Sequence, residues 1–217
     1  MKKVLVISAH PDDMEIGMGG TVAKLSASGC SIVSVVLTDG RRSPNPLSLS
    51  QEEMAEVRSK ETKRAAKILG VNQTICFDLE SIATPELSDT ATRKLSEVIN
   101  SVMPEEIFTL HPELDRHPTH RLTGKISLDA IKQSHLQNLM LWAYEVWGLF
   151  NRWDRFEDIT DQIWTKLRAI GEHQSQLAAI PYAEGITGLN RWRAIFADPK
   201  QEKVTAAFAE VFLELKL

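Results

Sequence analysis

The stretch Val4-Leu5-Val6-Ile7-Ser8-Ala9-His10-Pro11-Asp12-Asp13-Met14-Glu15, continued by Ile16-Gly17-Met18-Gly19-Gly20, decides how the rest of the chain is read. A short apolar run with the character of a buried strand gives way to a helix, and one imidazole and three carboxylates stand at the junction. In open α/β sheets ligands bind just outside the carboxyl ends of the strands. Concentrating this much charge there is costly unless a cation neutralises it, so the stretch points to a divalent metal.

A second cluster supports this. His111-Pro112-Glu113-Leu114-Asp115-Arg116-His117-Pro118-Thr119-His120 follows another apolar run, Ile107-Phe108-Thr109-Leu110, and holds three of the six histidines. It reads as a second strand-end loop, and two such loops can converge on one ion.

Working outward, strand-like and helix-like segments alternate. Strands are expected at 3–8, 31–38, 74–77, 106–110 and 139–146. Helices are expected at 16–28, from the Ser50/Glu53 capping-box pattern to Leu69, at 89–102 and at 122–131. The alternation predicts an α/β fold, a Rossmann-like and mainly parallel sheet with helices on both faces. Residues 160–177 and 182–196 read as helices of a C-terminal helical elaboration, while 206–215 is apolar and ambiguous between helix and strand. The five tryptophans, Trp142, Trp147, Trp153, Trp164 and Trp192, fall in or just before this region and are expected mainly in the core. With 217 residues and no repeats, one domain over 1–217 is expected.

Composition narrows the classes. The net charge of −4 with interspersed signs argues against a nucleic-acid or anionic-membrane partner. No apolar run suits a signal peptide or a membrane span. Cys30 and Cys76 lie in no CxxC motif, and a cytoplasmic location is expected. The apolar, Trp-rich C-terminal region offers a surface for a homo-oligomer.

Catalytic zinc takes three protein ligands and keeps a fourth position for water. His10, Asp13 and His120 are the metal-ligand candidates. Asp12 is left adjacent and uncoordinated, where a carboxylate can accept a proton from the water. His117 remains as a donor toward charge developing on a substrate. Arg41 and Asp78 follow the second and third strands and are candidates for substrate contact, as are Asp39 and Arg42. Glu15 is read as second to the metal or as stabilising a helix N-terminus, His111 as near the site or held in a loop hydrogen bond, and His135 and His173 as structural or surface residues. The glycines at 17, 19 and 20 fit neither GxGxxG nor a P-loop and are read as sites of close helix packing.

His10-Pro11-Asp12-Asp13-Met14-Glu15-Ile16-Gly17, with Gly19-Gly20-Thr21 behind it, resembles the N-terminal signature of the PIG-L/LmbE-like family of zinc-dependent deacetylases. Asp115-Arg116-His117-Pro118-Thr119-His120 is similar to that family's second motif, and Arg58-Ser59-Lys60-Glu61 to its Arg-x-x-Glu element. Tyr144-Glu145-Val146-Trp147 and His173-Gln174-Ser175-Gln176 extend the likeness. The resemblance implies one zinc ion (or another divalent metal) per chain at His10, Asp13 and His120, with Asp12 as general base and His117 stabilising the oxyanion. It also implies that Arg58 contacts the substrate, a small glycosylated molecule of the N-acetylglucosamine type that loses its N-acetyl group. One departure stands out. The family usually has Asp where this chain has Thr119, which predicts a lowered His117 pKa and weaker or shifted activity, with Asp115 as a partial substitute.

Two other readings compete. Two histidines and a carboxylate also describe non-haem iron enzymes, although the βαβ alternation and the separate Asp12 weigh against that. A non-catalytic sugar- or metal-binding protein is the other, with Thr119 in its favour and the otherwise intact set against it.

Overall fold

The computed structural model describes residues 1–136, 138–196 and 205–217. The strands are β1 (Lys3–Ser8), β2 (Ser31–Thr38), β3 (Gln73–Leu79), β4 (Glu106–Leu110), β5 (Met140–Tyr144), β6 (Arg155–Asp158) and β7 (Ala209–Glu214). The helices are α1 (Asp13–Ala27), α2 (Gln51–Leu69), α3 (Pro85–Val102), α4 (Pro118–Lys132), α5 (Ile163–Ile170), α6 (Gln174–Leu177) and α7 (Tyr182–Phe196). The seven strands form one sheet in the order β3-β2-β1-β4-β5-β7-β6. β1 to β5 run parallel, and β7 and β6 close the far edge antiparallel.

β1 shows why this is a two-faced sheet. Val4 and Val6 join one apolar cluster with Met14, Val22, Ala65 and Ala169, from α1, α2 and α5. Leu5 and Ile7, displaced by the two-residue period of a strand, join another with Leu95, Ile99, Ile126 and Ala130, from α3 and α4. A strand buried on both faces reads as an unbroken apolar run. The strand order reverses between β1 and β4, so their carboxyl ends flank a switch-point crevice.

The Rossmann-like expectation holds, with corrections to particular elements. α4 starts at Pro118, not Leu122, because proline suits the first helical position; His120 therefore sits in a helical first turn. α3 likewise starts at Pro85, with the Thr84 hydroxyl capping Leu87 N–H. α2 has the expected capping box at Ser50 and Glu53 and ends on Gly70 at φ 77°. The expected helix at 160–177 is two short helices separated at Gly171. The ambiguous 206–215 segment holds strand β7, paired with β5 and β6, so the C-terminal elaboration is not purely helical. The tryptophans are not mainly core: Trp164 is 73% and Trp192 49% exposed. Among the described residues no helix is long and apolar enough to cross a membrane.

α1 carries an irregularity. Met18 leaves helical geometry at φ −145°, and the buried carboxylate of Glu210 on β7 accepts from Gly20 N–H at 3.0 Å and Thr21 N–H at 2.7 Å. A Cβ on Gly20 would lie 2.6 Å from Ile159, so the close packing read from the glycine run is real.

Candidate active site

The two histidine loops meet at the switch point. His10 follows β1, Asp13 opens α1, and His120 lies in the first turn of α4. His10 Nδ1 is 3.1 Å from His120 Nε2, and the Asp13 carboxylate is 3.2 Å from His120 Nε2 and 3.6 Å from His10 Nδ1. Their outward partners hold these groups in place. Asp13 Oδ2 accepts from the backbone N–H of Ala9 at 2.9 Å and of His10 at 2.8 Å. His120 donates through Nδ1 to Asp115 at 3.0 Å, and Asp115 also accepts from the N–H groups of His117, Trp147 and Gly148. A histidine whose second nitrogen is held by a carboxylate, leaving the first nitrogen free, is a common arrangement at metal centres.

His117 lies close by. A donor nitrogen from each of His10, His117 and His120 falls within 4.8 Å of the others. His117 Nδ1 is buried without a hydrogen-bond partner. Asp115 makes no side-chain hydrogen bond to His117, its oxygens being used by His120 and by backbone N–H groups, but its charge acts on His117 in the direction expected of the carboxylate absent at position 119.

Asp12 has a different environment from its neighbour. It precedes α1 in left-handed backbone at φ 112° and is 6% exposed, with Oδ2 2.8 Å from Arg58 Nη2. Arg58 reaches it from the second turn of α2, and Glu61, one turn further on, accepts from Ser175 N–H at 2.8 Å and its hydroxyl at 2.7 Å. The Arg-x-x-Glu element thus fastens α2 to the site and to α6. Burial raises the Asp12 carboxyl above its ordinary value, helped by Asp13 and opposed by Arg58. Burial also acts on Asp13, but His120 and His10 outweigh it and hold that carboxyl well below the ordinary range. Adjacent carboxylates pushed apart in this way suit different tasks, one binding a cation and one moving a proton.

The histidines diverge too. Burial lowers His120, yet Asp13 and Asp115 raise it to about 10. Burial together with the charges of His10 and His120 lowers His117 to about 4. The direction agrees with the expectation from Thr119, although burial is its largest cause. Thr119→Asp is expected to raise the His117 titration midpoint by about 1–3 pH units, as a nearby opposite charge does. Imidazole NMR would follow it, and a midpoint that stays near 4 would contradict this.

The site opens into a cleft of about 480 Å³. Arg41 and Arg42 line it, but Arg41 is held by Asp39, with Nε 2.8 Å from Oδ2. Asp78 lies within β3, not after it, and is exposed at φ 54°; Glu80 and Ser81, just past the strand, line the cleft instead. Trp147 forms another wall. Ser43 and Gln176 also line the cleft, as do Ile180 and Tyr182, which sequence reading missed. His173, read as structural or surface, is buried, with its ring 3.6 Å from Glu15.

Residues 5–131 match the family model described as GlcNAc-PI de-N-acetylase, PIG-L. Diacetylchitobiose deacetylase of Thermococcus kodakarensis is 33% identical over 189 residues, covering 81% of this chain and 70% of that protein. A probable N-acetyl-alpha-D-glucosaminyl L-malate deacetylase 2 of Bacillus cereus is 25% identical, covering 82% and 86%. The structure of N,N'-diacetylchitobiose deacetylase from Pyrococcus horikoshii superposes with a TM-score of 0.84 at 27% identity, covering 99% of this chain and 84% of that one. This chain belongs to the PIG-L family, whose members are metal-dependent N-deacetylases.

Proposed function

We propose that residues 1–217 act as one zinc-dependent N-deacetylase domain that hydrolyses the acetamide of a small N-acetylglucosamine-type glycoside. The metal ligands are His10, Asp13 and His120, and Asp12 is the general base. The observation that carries this reading is the 3.1–3.6 Å spacing of the three donor groups beside a carboxylate that is not among them. Ligands about 2.0–2.2 Å from a tetrahedral zinc stand about 3.3–3.6 Å from one another, so the donor set fits the ion. The relatives are named as deacetylases of chitobiose-type and glucosaminyl substrates, which supports the substrate class. They lend nothing to the iron-enzyme or the non-catalytic reading.

A divalent ion at these ligands supplies Lewis-acid polarisation of a carbonyl and an acidified water. Asp12 accepts a proton from the attacking water as the new C–O bond forms and the carbonyl electrons move onto oxygen. His117, neutral at neutral pH with a value of about 4, offers an N–H to that oxygen. When the carbonyl re-forms and the C–N bond breaks, Asp12 returns its proton to the departing nitrogen, leaving a free amine and acetic acid, which ionises to acetate. Trp147, partly exposed on the cleft wall, offers an apolar face to a sugar ring. The two free cysteines accord with a cytoplasmic location.

The test is a panel of N-acetylglucosamine conjugates: the free sugar, its β-linked disaccharide and a small acidic glycoside. Equal amounts of acetate and new primary amine from at least one are expected. Zinc-loaded protein that releases no acetate from any of them would contradict the reading.

A further inference from the structure

Gln176 lines the cleft with only 1% of its surface exposed, so its side chain is part of the wall and not of the solvated rim. Its place is fixed from α2. Glu61 accepts from both the N–H and the hydroxyl of Ser175, at 2.8 and 2.7 Å, and the Gln176 N–H donates to the His173 carbonyl at 3.0 Å. The direction of the carboxamide follows from the donors. The single hydroxyl proton of Ser175 goes to Glu61, so Ser175 Oγ can only accept from its neighbour, and it does so from Gln176 Nε2 at 3.3 Å. Nε2 also faces Met54 Sδ at 3.9 Å. With the amide nitrogen turned into the protein, the amide oxygen is the group left over. Oε1 has no partner among the described residues, and it is not one of the enclosed orphan atoms, so it keeps an edge on the cleft.

We propose that Gln176 is a substrate-binding residue whose amide oxygen accepts a hydrogen bond from a ring hydroxyl of the sugar that carries the acetamide. The inference rests on the deacetylase reading, which supplies that sugar. An oxygen that only accepts selects its ligand by chemistry: a hydroxyl donates to it, whereas an ionised carboxylate has no proton to offer. The two walls of the cleft come from opposite faces of the sheet. α4 supplies His117 and Thr119 from one face, and Gln176 is fastened to α2 on the other. Trp147 offers a sugar ring an apolar surface, and an apolar surface does not fix how the ring is turned. A few well-placed polar groups do that in a binding cleft. The chain from Glu61 through Ser175 to Gln176 holds this acceptor in one direction before the ligand arrives, so little side-chain freedom is lost on binding.

The experiment measures kcat and KM for methyl N-acetyl-β-glucosaminide and its 3-deoxy, 4-deoxy and 6-deoxy derivatives. Zinc-loaded parent protein, Gln176→Met and Ser175→Ala are compared, with bound metal and thermal midpoint recorded for each. Gln176→Met keeps the length of the side chain and removes the acceptor. It is expected to raise KM for the full sugar about 3–10-fold with kcat within about twofold, the loss of one neutral hydrogen bond made throughout the reaction. The parent protein is expected to lose the same factor on one of the three deoxy sugars, and Gln176→Met to treat that sugar and the full one alike. Ser175→Ala frees the carboxamide to turn. It is expected to lose a smaller part of the same discrimination, and it keeps the test open should the Gln176 variant fold poorly. Unchanged discrimination among the deoxy sugars in both variants would overturn the proposal, and a lowered thermal midpoint beside it would assign Gln176 a purely structural role. Equal losses on all four sugars would overturn it too, since that pattern belongs to the acetamide or the metal. A parent protein inactive on these four sugars would remove the proposal alone if a conjugate of the wider panel still releases acetate, and the deacetylase reading with it if none does.

Discussion

Replacing Asp12 by Asn is expected to lower kcat by about 10²–10⁴-fold while leaving bound metal unchanged, the contribution of a positioned general base. The substitution keeps the volume and a hydrogen-bonding oxygen for Arg58, so the loss reports on proton transfer. Asp12 suits this task because burial raises its carboxyl, and a base of higher pKa accepts a proton more readily. Asp13 has the opposite character, held well below the ordinary carboxylate range by His120 and His10. The sign of the pH dependence follows. Activity is present above the Asp12 pKa and falls as pH drops through it, and the acidic limb lies above the ordinary Asp value of about 3.9. An Asn variant within tenfold of the parent rate would exclude Asp12 as the base.

Glu210→Ala is expected to destabilise the fold by about 3–5 kcal/mol, the cost of leaving a buried charge unpaired. For a domain of this size that lowers the thermal midpoint by about 6–20 °C. Glu210 is 2% exposed and its Lys166 partner 0%, with Nζ 2.7 Å from Oε1. The same carboxylate accepts from Gly20 N–H, Thr21 N–H and the Thr21 hydroxyl, which lie just past the break at Met18. Removing it therefore leaves both a cation and backbone N–H donors without partners. Burial already lowers the Lys166 pKa, and the attraction of Glu210 opposes that. Replacing both residues by Met should recover much of the loss through packing, except for the backbone donors. Differential scanning calorimetry would check the series, and a loss below 1 kcal/mol for Glu210→Ala would contradict this account.

The parallel strands were legible because burial on both faces writes itself as continuous apolar runs such as Val4 to Ile7 and Ile107 to Leu110. The meeting of His10, Asp13 and His120 was legible because they fall in two clusters that follow such runs, and the structure brings them within 3.1–3.6 Å of one another. β6 was not, because Arg155-Phe156-Glu157-Asp158 is charged and forms a strand only through pairing with β7. The break in α1 was invisible, since its compensation comes from Glu210, far along the chain. Tyr182 carries no local signal for the cleft, and Gln176 only its place in the His173–Gln176 stretch. They reach it because Glu61 anchors α6 to α2, a long-range contact. Arg58 was recognisable by its motif, but its contacts with Asp12 and the Pro11 carbonyl depend on the geometry of two loops and a helix.

The most direct test strips the protein with a chelator and restores zinc stepwise while following acetate release from the best substrate of the panel. The account predicts negligible release before addition, recovery that rises linearly and levels off at one ion per chain, and no recovery in His120→Ala. Undiminished acetate release by the stripped protein, or full recovery in His120→Ala, would contradict it.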